Sequence, residues 1–190
     1  MARHPGFRIF LAVLAAVFSC AAGPAAGGGG LPPWAADGTL LQNGGFAQDG
    51  KGGLAPWTLE KGLTLCPSAP TAGEACLQMA GEGKGLLVQT FAGEGLHAAG
   101  GDILHAQADL FCAKANTAAL LVWVVYQVDG KPDKEEVRLP HPGDGEWRTL
   151  KCAVPVRNDP ITRVQVLVEL RGPEGECKAR NAAAWQTAEP

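Results

Sequence analysis

The chain has 190 residues and a formal net charge of −3, enough for one domain plus extras and with no electrostatic case for nucleic acid. Its 46% hydrophobic content is enough for a real core and excludes global disorder. The 26 glycines and 14 prolines suit many short strands joined by tight turns better than a helical bundle.

Arg3 and Arg8 make a basic start, and residues 9–18 form an apolar run of the length of a signal-peptide core. That run is shorter than the about 20 residues needed to cross a bilayer. Ser19-Cys20-Ala21 fits a small-x-small cleavage site, and Val17-Phe18-Ser19-Cys20 resembles a bacterial lipobox with Cys20 as the acylated residue, although Phe18 is a poor fit there. Residues 1–22 are therefore read as an export signal and residues 23–38 as a Gly/Pro/Ala linker carrying Trp34. The protein is expected to be periplasmic, secreted or envelope-anchored in a bacterium, with a lipid on Cys20 as its one route to a membrane. Six cysteines in a short exported chain read as a partial disulfide framework. Loss of Cys20 leaves Cys66, Cys76, Cys112, Cys152 and Cys177, an odd number, so at least one is free or pairs between chains. There is no CxxC and no Cys/His cluster at zinc spacing.

The folded part, residues 39–190, opens on Asn43-Gly44-Gly45-Phe46, with backbone freedom beside a buried Phe. Short strands are expected over residues 63–66, 75–79 and 85–92. Cys66 and Cys76 flank one hairpin-like connection, so that bridge is expected first; its loop of about ten residues is worth about 3 kcal/mol on the chain-entropy model. Residues 103–114 alternate Ala106, Ala108, Leu110 and Cys112 against Gln107, Asp109 and Phe111, a strand with one core face. Residues 119–130, ALLVWVVYQVDG, are apolar on both faces and end in the turn signal Asp129-Gly130. Leu120, Val122, Val124, Tyr126 and Val128 make the better core face. Trp123 and Gln127 point the other way, where they either stack on and hydrogen-bond a sugar ring or form the edge of a core. Strands follow over residues 135–139, 147–156, 161–171 and 176–185. In the third of these Val164, Val166, Val168 and Leu170 face the core, and Arg163, Gln165, Leu167 and Glu169 face out. About ten strands separated by Gly/Pro turns give an all-β, antiparallel two-sheet jelly-roll β-sandwich.

The order of these signals, from Asn43-Gly44-Gly45-Phe46 and Pro56-Trp57 through residues 73–77 (GEACL), Gln89 and Asp129-Gly130 to Trp147 and Val154-Pro155-Val156, resembles the carbohydrate-binding modules of the galactose-binding-like superfamily, in particular the CenC-type modules of the family 4/9 group. The resemblance covers roughly residues 40–185. It implies that Gln89, Trp123, Gln127, Arg138, Gln165 and Glu169 share the concave face of one sheet and bind glycan there, by stacking on the ring face and polar contacts to hydroxyls. A solvated sheet face is the ordinary alternative, and Trp57, Trp147 and Trp185 are expected in the core or at the sandwich edge. The resemblance also implies a structural calcium site, for which Asn43, Asp49 and Asn181 are weak candidates, because Ala47 and Asn181 stand where such modules carry acidic ligands. It favours a Cys112–Cys177 disulfide, with Cys112–Cys152 as the competitor.

No G-x-S-x-G, H-E-x-x-H or phosphate loop is present. His97, His105 and His141 are scattered, and Glu136 and Glu169 are the pair of carboxylates that would have to face each other across a cleft in a glycosidase. A non-catalytic binding protein is expected. The competing expectation is a cell-envelope structural or protein-interaction jelly roll that has lost sugar binding; the odd cysteine and the lack of an attached catalytic domain favour it.

Overall fold

The structure is a computed structural model describing residues 40–46, 54, 56–59, 63–66, 76–79, 83–92, 102–113, 116–172 and 177–187. The expected leader and linker, Cys20, Trp34, Asp49 and His97 lie outside the described residues. The described strands are β1 (Thr58–Leu59), β2 (Leu63–Cys66), β3 (Cys76–Met79), β4 (Gly83–Ala92), β5 (Ile103–Ala113), β6 (Thr117–Val128), β7 (Lys131–Pro140), β8 (Asp144–Pro155), β9 (Ile161–Gly172) and β10 (Cys177–Thr187). They form two antiparallel five-stranded sheets, of order β1-β4-β9-β6-β7 and β2-β3-β10-β5-β8. This is the expected all-β jelly-roll sandwich.

Period-two alternation builds the core. Leu120, Val122, Val124 and Tyr126 of β6, with Val164, Val166, Val168 and Leu170 of β9, are buried on the inner face of the first sheet. The second sheet answers with smaller side chains: Ala106, Ala108, Leu110 and Cys112 from β5, and Ala179, Ala182 and Ala184 from β10. Branched residues on one face and alanines on the other let the two layers interdigitate. Asp129 and Gly130 take φ of 49° and 75° and join β6 to β7 with Val128 opposite Lys131, a two-residue hairpin of the kind that needs left-handed residues at both centres.

Residues 40–46 fasten one sheet to the other. Leu40 N donates to Ala184 O at 2.7 Å and Ala182 N to Gly44 O at 2.8 Å, both on β10. Gln42 meets Gln89 of β4 through two bonds, its N–H donating to Oε1 (2.9 Å) and its C=O accepting from Nε2 (2.8 Å). The positive φ values in Asn43-Gly44-Gly45-Phe46 belong to Asn43 (51°) and Phe46 (55°). Gly44 is there for proximity: a Cβ on it would lie 1.9 Å from the carbonyl oxygen of Ala182. Phe46 is fully buried and packs on Trp57, ring centroids 5.2 Å apart, while Trp57 Nε1 donates to Asn43 O at 2.9 Å. Trp57 is thus a core residue, as expected.

The register places Cys66 opposite Cys76 and Cys112 opposite Cys177. The Cys112 and Cys177 sulfurs touch at 3.0 Å as unbridged thiols, both fully buried. Cys152 stands opposite Ala106, six residues along β5 from Cys112. That is about 20 Å at about 3.3 Å per residue, beyond the reach of a disulfide, so the Cys112–Cys152 pairing is excluded.

Candidate functional site

The outer face of the β1-β4-β9-β6-β7 sheet is built in rows across the strands. One row reads Thr90, Gln165, Trp123 and Glu136; the next reads Val88, Leu167, Leu121 and Arg138; the next reads Leu86, Glu169, Ala119 and Pro140. Trp123, Arg138, Gln165 and Glu169 therefore share a face, and Gln127 lies on the same side of β6 near its end, opposite Pro132. Gln89 does not join them. It stands opposite Val166, on the core side, and is 2% exposed. A buried amide is tolerated there because both ends of it are satisfied by the Gln42 backbone.

Leu86, Ala119, Leu121 and Leu167 make a small apolar floor separate from the main core. Glu169 lies on this floor, its side chain 4% exposed, with Oε1 on Arg138 Nη2 at 2.5 Å and Oε2 on Arg171 Nη2 at 2.8 Å. Arg138 is on β7 and Glu169 on β9, so the arginine stem crosses β6, and the small side chain of Ala119 leaves it room. The desolvation cost of the carboxylate is offset by two charge-assisted bonds. The guanidinium side chains themselves are 41% and 50% exposed.

The Thr90–Glu136 row is polar at both ends. Gln165 Nε2 donates to Thr90 Oγ1 at 3.0 Å. Trp123 is partly buried, and Lys134 Nζ sits over its ring, 4.2 Å from the centroid, while bonding Glu136 Oε2 at 2.8 Å. One face of the expected stacking platform therefore carries an ammonium group. Arg163 and Lys134 flank Val125 in the following row, and Arg163 is exposed. Lys134, Glu136, Thr90, Arg163 and Arg171 were not among the expected site residues. The two-residue hairpin would have supplied the first two, since Val128 opposite Lys131 fixes Glu136 opposite Trp123. Continuing the alternation of β9 supplies Arg171.

Of the two other tryptophans, Trp147 lies on β8, an edge strand of its sheet, and Trp185 on β10 inside that sheet. Trp147 pairs with Phe111 and Trp185 with His105 on the outer face of the second sheet. Phe111 and Trp147 tilt together at 5.8 Å, with Arg180 over Trp147, and Trp185 stacks on His105 at 4.9 Å. Burial lowers the His105 pKa. His141 is held in the β7–β8 corner between Glu146 O and Gly143 N. Of the calcium candidates, Asn43 Nδ2 donates to Leu54 O and Asn181 Nδ2 to Asp109 Oδ2. Among the described residues no group of three or more His, Cys, Asp or Glu gathers at metal spacing.

The sequence matches no protein-family model and no curated protein. Solved structures do resemble the fold. The TmCBM61 module in complex with beta-1,4-galactotriose is 17% identical with a TM-score of 0.53, over 80% of this chain and 99% of that one. The CBM22-1 xylan-binding domain from Paenibacillus barcinonensis Xyn10C is 15% identical with a TM-score of 0.52, over 80% and 96%. The enzymatically active domain of bacteriophage CBA120 tailspike protein 4 is 12% identical with a TM-score of 0.58, over 78% of this chain but 21% of its own. The chain has the jelly-roll fold of carbohydrate-binding modules.

Proposed function

We propose that this is an exported, non-catalytic carbohydrate-binding-module-like protein that holds glycan on the outer face of the β1-β4-β9-β6-β7 sheet. The observation carrying this reading is the convergence of Thr90, Gln165, Trp123, Arg138 and Arg171 on one sheet face of a module-type sandwich. Amide, hydroxyl and guanidinium donors beside an indole are the chemistry a sugar chain needs. Glu136 and Glu169, the two carboxylates among the described side chains of the face, are each bonded to cations, which supports a binding role over acid–base catalysis. The CenC-type kinship rests on the Asn43-Gly44-Gly45-Phe46 segment and the order of motifs. Export through residues 1–22, the linker over 23–38, the domain over 39–190 and oxidised cysteine pairs belong to the same reading.

A second reading, an envelope interaction protein that has lost sugar binding, is favoured by Lys134 lying over the Trp123 ring. A glycan array of the purified protein, run with calcium and with chelator, separates the two. A defined glycan hit that Trp123→Ala weakens, with the melting temperature little changed, supports the first. A blank array on folded protein, followed by capture of an envelope partner, supports the second.

A further inference from the structure

We infer that the glycan taken by this face is an acidic one, an extended polysaccharide whose carboxylate or sulfate groups are held at two basic stations. The inference rests on the glycan-binding reading above and names its ligand class. The first station is Arg138 with Arg171; the second is Arg163 with Lys134. On a chain whose net charge is −3, the described side chains of this face include four cations, Lys134, Arg138, Arg163 and Arg171, against two carboxylates, Glu136 and Glu169.

The first station is preorganised. The buried Glu169 carboxylate gives one oxygen to each arginine, so it fixes the direction of both guanidinium groups. Each guanidinium has five N–H donors, and half-exposed side chains present the unused ones to solvent. A planar fork held in place is the geometry that recognises a carboxylate or sulfate bidentately. At the second station Arg163 has no partner among the described residues, and Lys134 rests on the Trp123 ring. Arg163 and Glu169 are six residues apart on β9, about 20 Å at about 3.3 Å per residue. Between the stations lie Gln165, Thr90 and Trp123, neutral groups suited to the hydroxyls of intervening sugars. A neutral-glycan site would leave its aromatic ring open; here a cation occupies one face of it.

The test is calorimetric titration of the protein with four probes: oligogalacturonate, the same oligomer fully methyl-esterified, dextran sulfate, and neutral β-1,4-galactotriose. Polyglutamate serves as a non-sugar polyanion. Oligogalacturonate or dextran sulfate should bind at least about tenfold more tightly than the esterified and neutral probes, and the better of the two identifies the anion. Binding should fall at least about tenfold between low and high salt, because exposed charges are screened. Arg163→Gln, which breaks no ion pair, should weaken it about five- to tenfold with an unchanged melting temperature. Arg138→Gln should weaken it further, if the variant folds. Tight galactotriose binding with no preference for acidic probes overturns the inference and leaves the glycan reading standing. Equal binding of polyglutamate overturns it as plain ion exchange. No binding of any sugar removes both.

Discussion

Replacing Gly44 with alanine isolates the role of the Asn43-Gly44-Gly45-Phe46 segment, and Gly45 supplies the control. A Cβ on Gly44 would lie 1.9 Å from Ala182 O, whereas ordinary contact begins near 3.4 Å. The two backbones must part by about 1.5 Å, and the 2.8 Å bond from Ala182 N to Gly44 O cannot survive that. Losing the bond costs about 1 kcal/mol and the overpacking about 1–3 kcal/mol. The entropy removed from the unfolded chain returns about 0.4–1 kcal/mol. Gly44→Ala should therefore destabilise by about 1–4 kcal/mol, roughly 2–15 °C in Tm for a domain of this size. At Gly45 nothing lies within 4 Å of a built Cβ and its φ is outside the left-handed region, so Gly45→Ala should be neutral or stabilising by up to about 1 kcal/mol. Thermal and urea unfolding followed by far-UV circular dichroism compares the pair. If the two variants agree within about 0.5 kcal/mol, the close approach to β10 is not what holds this segment.

Gln89→Leu fills the same volume but strands the Gln42 N–H and C=O; a loss of about 2–3 kcal/mol is expected, and wild-type stability in urea would show that the two bonds contribute nothing. Burial pushes the Cys152 thiol up to about 11 from 9.0. The folded state holds that proton more tightly, so the stability it adds is complete below about pH 9 and is lost as pH rises through 11, about 3 kcal/mol at about 1.4 kcal/mol per pH unit. Cys152→Ala should flatten the alkaline limb of a stability–pH profile, and identical limbs would sink the assignment. Refolding with oxidised glutathione should link Cys112 to Cys177, two thiols giving up two protons and two electrons to the glutathione disulfide. The bridge closes a loop of 65 residues and adds about 4 kcal/mol on the chain-entropy model. Peptide maps showing both cysteines alkylated after that treatment would end the idea.

The long strands were legible because alternation over ten or more residues leaves one choice of inner face, as in β6 and β9. Asp129-Gly130 announced its hairpin because few dipeptides accept two left-handed residues. In β4 the resemblance misled, by putting Gln89 on the glycan-binding face. Leu87 and Gln89 share the inner face, and Val88 and Thr90 the outer one. What turned the amide inward is the backbone of Gln42, 47 residues earlier, and no local pattern carries that. Gln107 and Asp109 were read correctly as facing away from the core, yet they are 5% and 9% exposed, because β8 and β10 bring Thr149, Asn181 and Arg180 onto Asp109 and Lys151 and Ala183 beside Gln107. The Arg138–Glu169–Arg171 group was half visible. The sequence put two of its members on outward positions, but only the strand order sets β7 and β9 on either side of β6 and lets one arginine reach across.

The segment of residues 40–46 also decides how the domain would respond to tension. A chain held at its N-terminal end, as by a lipid on Cys20, would deliver force to the sandwich through Leu40. The first resistance is the bond from Leu40 N to Ala184 O, then the pair on Gln89, then the bond from Ala182 N to Gly44 O. These come under load one after another, so the segment peels at a force set by single bonds. The ladders joining β10 to β5 and β6 to β9 share load over many bonds, so they hold after these single bonds have parted. The tether could lengthen by several residues before any strand of the outer face that carries Trp123, Gln165 and Arg138 moved, which makes this segment a mechanical fuse for the sheet behind it.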